Sequence, residues 1–244
     1  MEANWQQIEI AGKTSDVFEP VGKPRFGILH LHGYGLTTLR DNPIFTRLFS
    51  DLKCACVCPH GQRSWWADRV CREFDEVITP ERYLLDEALP FFRERWGVQE
   101  RSIGLQGISM GGQGALRLAF KHPNRFPVVA GIASALDYHD RYGEGTPLDE
   151  MYDSKEQCRQ DTATLHLHPS HYPPHIFFCA DPNDADWFRG NDRLHEKMAA
   201  LGIPHEIDFT TQAGGHSWDY FNHMAERVVR FVYGGLEAES RKLL

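Results

Sequence analysis

Gly107-Ile108-Ser109-Met110-Gly111-Gly112 follows a short apolar run, Ser102 to Gln106, and leads into helix-forming residues from Gly111 to Phe120. A serine held between glycines at a strand-to-helix junction has a definite physical reading. A sharp turn there lifts the hydroxyl above the end of a sheet, and the crowding leaves no room for side chains at the flanking positions. The helix that follows aims its first amides at the same point, so the Met110 N–H can meet negative charge developing beside Ser109. An ordinary glycine-rich turn is the competing reading, and it does not account for a strand on one side and a helix on the other.

Outward from this turn, strand-like and helix-like stretches alternate in both directions. Phe26 to His32 reads as a buried strand ending at Gly33-Tyr34-Gly35, Ile44 to Leu52 as a short helix, and Cys54 to Cys58 as a strand stopped by Pro59. Glu81 to Trp96 carries Leu84, Leu85, Ala88, Phe91, Phe92 and Trp96 at helical spacing, with Pro90 expected to kink or break it and Gly97 to cap it. Beyond the serine helix, which closes at His122-Pro123, come a strand over Val128 to Ala133 and another over Ile176 to Cys179. A helix over Asp192 to Leu201, a strand over Glu206 to Phe209 and a closing helix from Ser217 to Tyr233 complete the pattern. Such alternation predicts an α/β fold, a mainly parallel central sheet with helices on both faces in a three-layer sandwich. No repeat, low-complexity tract or linker divides residues 1–244, so a single domain is expected. Asp137 to Pro174 interrupts the alternation. It is polar, rich in His, Tyr and Pro, and weakly periodic, and is expected to be a lid-like excursion or pocket wall.

A serine hydroxyl is a weak nucleophile until a base takes its proton. In folds built around this turn the partners follow in the order serine, acid, histidine. Of thirteen histidines, His216 has the right context: Gln212-Ala213-Gly214-Gly215-His216-Ser217-Trp218 is a flexible loop after a strand and before a helix. The acid should leave the end of the Ile176–Cys179 strand, and Asp181, Asp184 and Asp186 all qualify by position. Asp181 precedes Pro182 and could shape the turn, and Asp186 could cap the next helix. Asp184 is the preferred acid. A second amide to stabilise an oxyanion should come from His32-Gly33-Tyr34-Gly35, with the Tyr34 N–H as candidate. Trp65, Trp66 and Trp218 flank this constellation and could form an acyl or alcohol pocket; Trp66 and Trp218 are expected to contact substrate, with core packing the alternative for Trp66 and the preferred reading for Trp65.

These residues resemble the esterase D and S-formylglutathione hydrolase group of α/β-hydrolases, over about Phe26 to Tyr233. The most specific stretch is Gly107 to Leu116 followed by Lys121-His122-Pro123-Asn124-Arg125-Phe126; Trp65-Trp66 and Gly215-His216-Ser217-Trp218-Asp219-Tyr220 also fit. In that group the acid lies three residues after a glycine that ends its strand. Asp181 stands at the glycine position here, and the offset selects Asp184. The resemblance implies the α/β-hydrolase fold and a carboxylesterase acting on small acyl esters or thioesters without a cofactor. The S-formylglutathione hydrolase branch itself fits less well, because it carries a different segment at Leu31 to Gly35.

Composition bounds what else the chain could be. Hydrophobic residues make up 41% and charged residues 25%, enough apolar material for a sizeable core, and the net charge of -8 draws the chain toward neither nucleic acid nor anionic lipid. No apolar run is long enough to span a bilayer and no secretory signal opens the chain, so the cytoplasm is the expected location. Cys54, Cys56 and Cys58 alternate, which places them on one strand face as buried reduced thiols. The expected partner is a small-molecule ester, and a homo-oligomer is compatible with the sequence. Two alternatives stand beside this reading. His30 and His32, with His60 after the next strand, could mark a metal-dependent hydrolase, or the fold could serve as a non-catalytic binding module. Neither explains why serine, histidine and acid occur together in order.

Overall fold

A computed structural model describes residues 4–242. Among them run eight strands: β1 (Asn4–Ile10), β2 (Lys13–Glu19), β3 (Gly27–Leu31), β4 (Ala55–Pro59), β5 (Ile103–Ile108), β6 (Val128–Ile132), β7 (His175–Cys179) and β8 (Glu206–Asp208). They form one sheet in the order β1-β2-β4-β3-β5-β6-β7-β8. The first two strands pair antiparallel with each other and β2 pairs antiparallel with β4. Every pair from β4 to β8 across the sheet is parallel. The helices are α1 (Pro43–Leu52), α2 (Pro80–Tyr83), α3 (Leu89–Trp96), α4 (Met110–Lys121), α5 (Leu148–Met151), α6 (Lys155–Gln160), α7 (Ala163–His166), α8 (Phe188–Ala200) and α9 (Trp218–Arg241).

Strand alternation sorts the core into two layers. Leu29, Leu31, Val57, Leu105 and Val129 face the side covered by α3, α4 and α8, where Phe92, Leu116, Leu118, Leu194 and Met198 pack. Ile28, Ala130, Ile132 and the alternating Cys54, Cys56 and Cys58 face α1 and α9, against Phe45, Phe49, Val228 and Val232. Each of the buried Leu, Ile, Val, Phe and Met side chains among these contributes about 1.5–3 kcal/mol. The fit is close at the centre: a Cβ at Gly104 in β5 would lie 2.3 Å from Val232 Cγ1 on α9. The chain thus adopts the expected α/β fold, a mainly parallel sheet between two helical layers. All six cysteines are buried and free, and the Cys56 and Cys58 sulfurs sit 3.7 Å apart, well beyond the roughly 2.05 Å of a disulfide.

Four features differ from the sequence reading. The β1–β2 hairpin was not expected. It is the polar edge of the sheet, and its turn uses Ala11 and Gly12, both at positive φ, in place of the usual Asn-Gly signal. The helical run before Trp96 is divided by a π-helical turn over Leu84–Ala88, placed just ahead of Pro90. Proline has no N–H and crowds the carbonyl one turn back, and the wider turn absorbs both effects. The polar excursion from Asp137 to Pro174 holds the short helices α5, α6 and α7. The last helix also continues past Tyr233 to Arg241.

Candidate active site

Ser109 joins β5 to α4 at φ 57° and ψ -118°, a left-handed conformation that a non-glycine residue adopts only where its surroundings hold it. The holding bonds come from the end of β6: the Ser109 amide donates to Ile132 O at 2.8 Å, and the Ala135 amide donates to Ser109 O at 3.0 Å. The flanking glycines are obligatory. A Cβ at Gly107 would lie 2.0 Å from Gly111 O, and one at Gly111 would lie 1.9 Å from Leu31 O. As the first residue of α4, Met110 has no carbonyl one turn back in the helix to accept from its amide. The Gly33-Tyr34-Gly35 loop runs alongside, so close that a Cβ at Gly33 would touch Ser109 Cβ at 3.3 Å.

His216 and Asp184 meet this serine. His216 Nε2 lies 2.8 Å from Ser109 Oγ, and His216 Nδ1 lies 2.8 Å from Asp184 Oδ2. A carboxylate only accepts, so Nδ1 carries the proton and the lone pair of Nε2 points to the serine hydroxyl. The side chain of Asp184 is fully buried, and its other oxygen accepts from the amides of Asp186 (3.1 Å) and Trp187 (3.0 Å) at the entry to α8. The imidazole packs edge-on against Phe221, ring centroids 5.3 Å apart.

The other two aspartates of this turn go elsewhere. Asp186 is exposed and pairs with Arg141 at 2.9 Å. Asp181 is buried and spends its carboxylate on backbone amides: Oδ1 accepts from Asn183 at 2.8 Å, and Oδ2 accepts from Ala213 at 2.7 Å and Gly215 at 2.9 Å. Burial alone would raise its pKa, but these amides outweigh that and hold it below the ordinary carboxylate value.

The three histidines of the metal alternative do not converge. His32 donates from Nδ1 to Gly33 O at 2.8 Å and accepts at Nε2 from the Gly61 amide at 2.9 Å, so both ring nitrogens brace the loop beside Ser109. Burial lowers its pKa to about 4, which keeps it neutral. His30 faces Gln106, and burial lowers its pKa to about 3; His60 pairs with Asp16 at 2.8 Å. Among the described residues no group of three or more His, Cys, Asp or Glu side chains is arranged to hold a metal ion. No helix among them is long and apolar enough to cross a membrane.

A cavity of about 440 Å³ opens over Ser109 and His216. Tyr34, Trp65, Trp187, Trp218 and Phe221 form an aromatic lining, and Arg141, Glu144 and Thr146 from the polar excursion close one side. Trp218 therefore lies where it was expected. Trp66 does not: it is fully buried beneath the Gly33 loop, its indole N–H donating to His32 O at 3.1 Å, with Gly61 and Gly114 packed against its ring. The cavity wall is Trp65 instead. Both tryptophans have φ near +55°, so the alternation that sorts faces in a strand does not apply, and nothing in the local pattern marks which ring turns inward. Trp187, Phe221 and Arg141 were unforeseen; Trp187 had the one readable cue, its place three residues after Asp184.

Residues 55–227 match the model of a protein family described as "Putative esterase". The fold is similar to an S-formylglutathione hydrolase from Agrobacterium tumefaciens, at TM-score 0.78 and 18% identity over 96% of this chain and 94% of that one. It is also similar to a fluorophosphonate-binding serine hydrolase of Staphylococcus aureus, at TM-score 0.77 and 14% identity over 96% and 99% of the two chains. A ferulic acid esterase superposes at TM-score 0.75 and 15% identity over 96% and 98%. At these identities the structural likeness speaks for the fold alone. No curated protein matches the sequence.

Proposed function

The chain belongs to the esterase family whose model spans residues 55–227, and on that premise we propose that it is a serine carboxylesterase hydrolysing small acyl esters or thioesters through an acyl-enzyme. The observation that carries this reading is the unbroken chain of hydrogen bonds from Ser109 Oγ through His216 to the buried Asp184. Ser109 attacks the ester carbonyl as His216 Nε2 takes its proton. Asp184 holds the ring in the required tautomer and stabilises the imidazolium that forms. The amides of Tyr34 and Met110 receive the charge on the carbonyl oxygen, where each donor is worth about 2.7–4 kcal/mol of transition-state stabilisation. His216 then returns the proton to the leaving alcohol or thiol, and a water activated by the same nitrogen releases the acyl group.

The cavity supports a small substrate, since 440 Å³ is at the lower end of ordinary ligand sites. Its aromatic lining, Trp218 included, favours an apolar acyl or alcohol group. Six buried, free cysteines support a reducing compartment such as the cytoplasm. Hydrolysis of p-nitrophenyl acetate, butyrate and octanoate by wild type and Ser109→Ala tests the reading. Turnover should fall by several orders of magnitude in the variant with the fold intact; a loss under about tenfold would remove Ser109 from the mechanism.

A further inference from the structure

The loop that carries His216 has little to hold it. It connects β8 to α9, and two consecutive glycines, Gly214 and Gly215 at φ 101° and 67°, precede the histidine. Glycines lose the most backbone freedom on ordering, so this segment needs fixed contacts to present an imidazole at 2.8 Å from a hydroxyl. Asp181 supplies them. One of its oxygens takes the amides on both sides of Gly214, those of Ala213 and Gly215. The other takes the Asn183 amide within the turn that carries Asp184, and the Asp181 carbonyl accepts from the Asp184 amide at 2.9 Å. The two segments also touch directly, since a Cβ at Gly215 would lie 3.4 Å from Asn183 O. A single buried carboxylate thus ties the turn bearing the acid to the loop bearing the base.

We infer that Asp181 is a positioning residue, setting the distance and angle of the His216 ring relative to Ser109 and Asp184 without touching either side chain. The inference rests on the Ser109–His216 reading. The carboxylate has two acceptor oxygens serving three amides, and an asparagine has one, so Asp181→Asn leaves at least one N–H unpaired in a nearly isosteric side chain. Asp181→Ala removes all three bonds. A misplacement of the base by about 1 Å is enough to cost on the order of 100-fold in rate.

Kinetics on p-nitrophenyl butyrate test this in both variants, normalised to sites titrated with a fluorophosphonate, alongside Ser109→Ala normalised to protein concentration. The expected result is a fall in kcat of about 10- to 100-fold in Asp181→Ala, with Asp181→Asn between it and wild type. KM should stay within about twofold, because no group contacting substrate has changed. The downfield proton resonance of His216 Nδ1–H should broaden or vanish in step with kcat. A kcat per titrated site within twofold of wild type in both variants, with only a lower unfolding midpoint, would reduce Asp181 to a structural residue and overturn the inference. Should Asp181→Ala fail to fold, Asp181→Asn decides alone by the same two readouts. Activity that survives Ser109→Ala overturns the underlying reading instead, so the two failures are separable.

Discussion

Trp65 lies face to face with Tyr138, ring centroids 4.9 Å apart and planes 18° from parallel. One ring lines the cavity and the other belongs to the polar excursion, so the excursion sets where the wall stands. The backbone of Trp65 is tied to the same layers: Gln113, one turn beyond Ser109, donates to Trp65 O at 3.1 Å and accepts from the Ala163 amide at 3.2 Å. Trp65→Leu opens the cavity. The ratio of kcat/KM for octanoate over acetate should rise about tenfold or more, since each methylene accommodated is worth roughly 1–3 kcal/mol. The p-nitrophenyl ester series measures it, and an unchanged ratio would place the acyl group elsewhere.

Asp184→Asn and Asp186→Asn should behave very differently. Losing the buried carboxylate beside His216 Nδ1 lets the ring take the wrong tautomer and lowers kcat by about 10³- to 10⁴-fold. Asp186 is exposed and pairs only with Arg141 at the cavity rim, so its loss should change kcat less than about threefold, in keeping with the weak worth of exposed ion pairs. Equal losses would reassign the acid.

Stability should decline on the acid side through His32. Its folded pKa, about 4, lies below the ordinary histidine value of 6.5 because burial opposes the charged ring. Between those values the unfolded chain binds a proton that the folded chain does not, so stability is full above pH 6.5 and is lost as pH falls toward 4. At pH 5 this amounts to roughly 2 kcal/mol at 1.36 kcal/mol per unit. Urea unfolding at pH 7.5 and pH 5 measures the slope, and His32→Gln should reduce it by about half while lowering stability at pH 7.5, because buried His30, its pKa lowered to about 3, contributes over the same range. An identical slope in the variant would place the acid sensitivity in other groups.

Arg117 is almost fully buried on α4 between Glu81 and Asp161, and Tyr152 also donates to Asp161 at 2.7 Å. Burial alone would raise the pKa of Glu81, yet His122, Arg117 and Lys121 together bring it to about 2. Arg117→Leu removes the buried cation shared by the two carboxylates and should cost about 3–5 kcal/mol in unfolding free energy. Chemical denaturation reads this directly, and a cost under about 1 kcal/mol would show that the carboxylates relax or become hydrated.

The parts of the site legible in the sequence were those where backbone geometry restricts residue type. Gly107 and Gly111 flank a serine whose conformation admits nothing larger, and Gly214-Gly215 announce a loop before a histidine. The parallel strands were equally readable, because burial on both faces makes them continuous apolar runs. The β1–β2 hairpin escaped because its edge strand is largely polar and its Ala11-Gly12 turn lacks the usual residues. The distinct tasks of Asp181, Asp184 and Asp186 could not be read from position, since each depends on amides and cations brought from Ala213, Gly215, Trp187 and Arg141 by the fold. The sequence reading preferred Trp66 to Trp65 for the pocket, and the fold reverses the two.

The Trp187 amide donates to the same Asp184 carboxylate that orients His216. Divergence of the family on this scaffold therefore has unequal freedom around one cavity. Shifting the Trp187 backbone disturbs the charge chain, whereas Arg141, Glu144 and Thr146 can vary with no such penalty. A change in preferred ester is therefore least constrained along the 137–174 side, while the backbone at Trp187 is tied to the acid that orients the base.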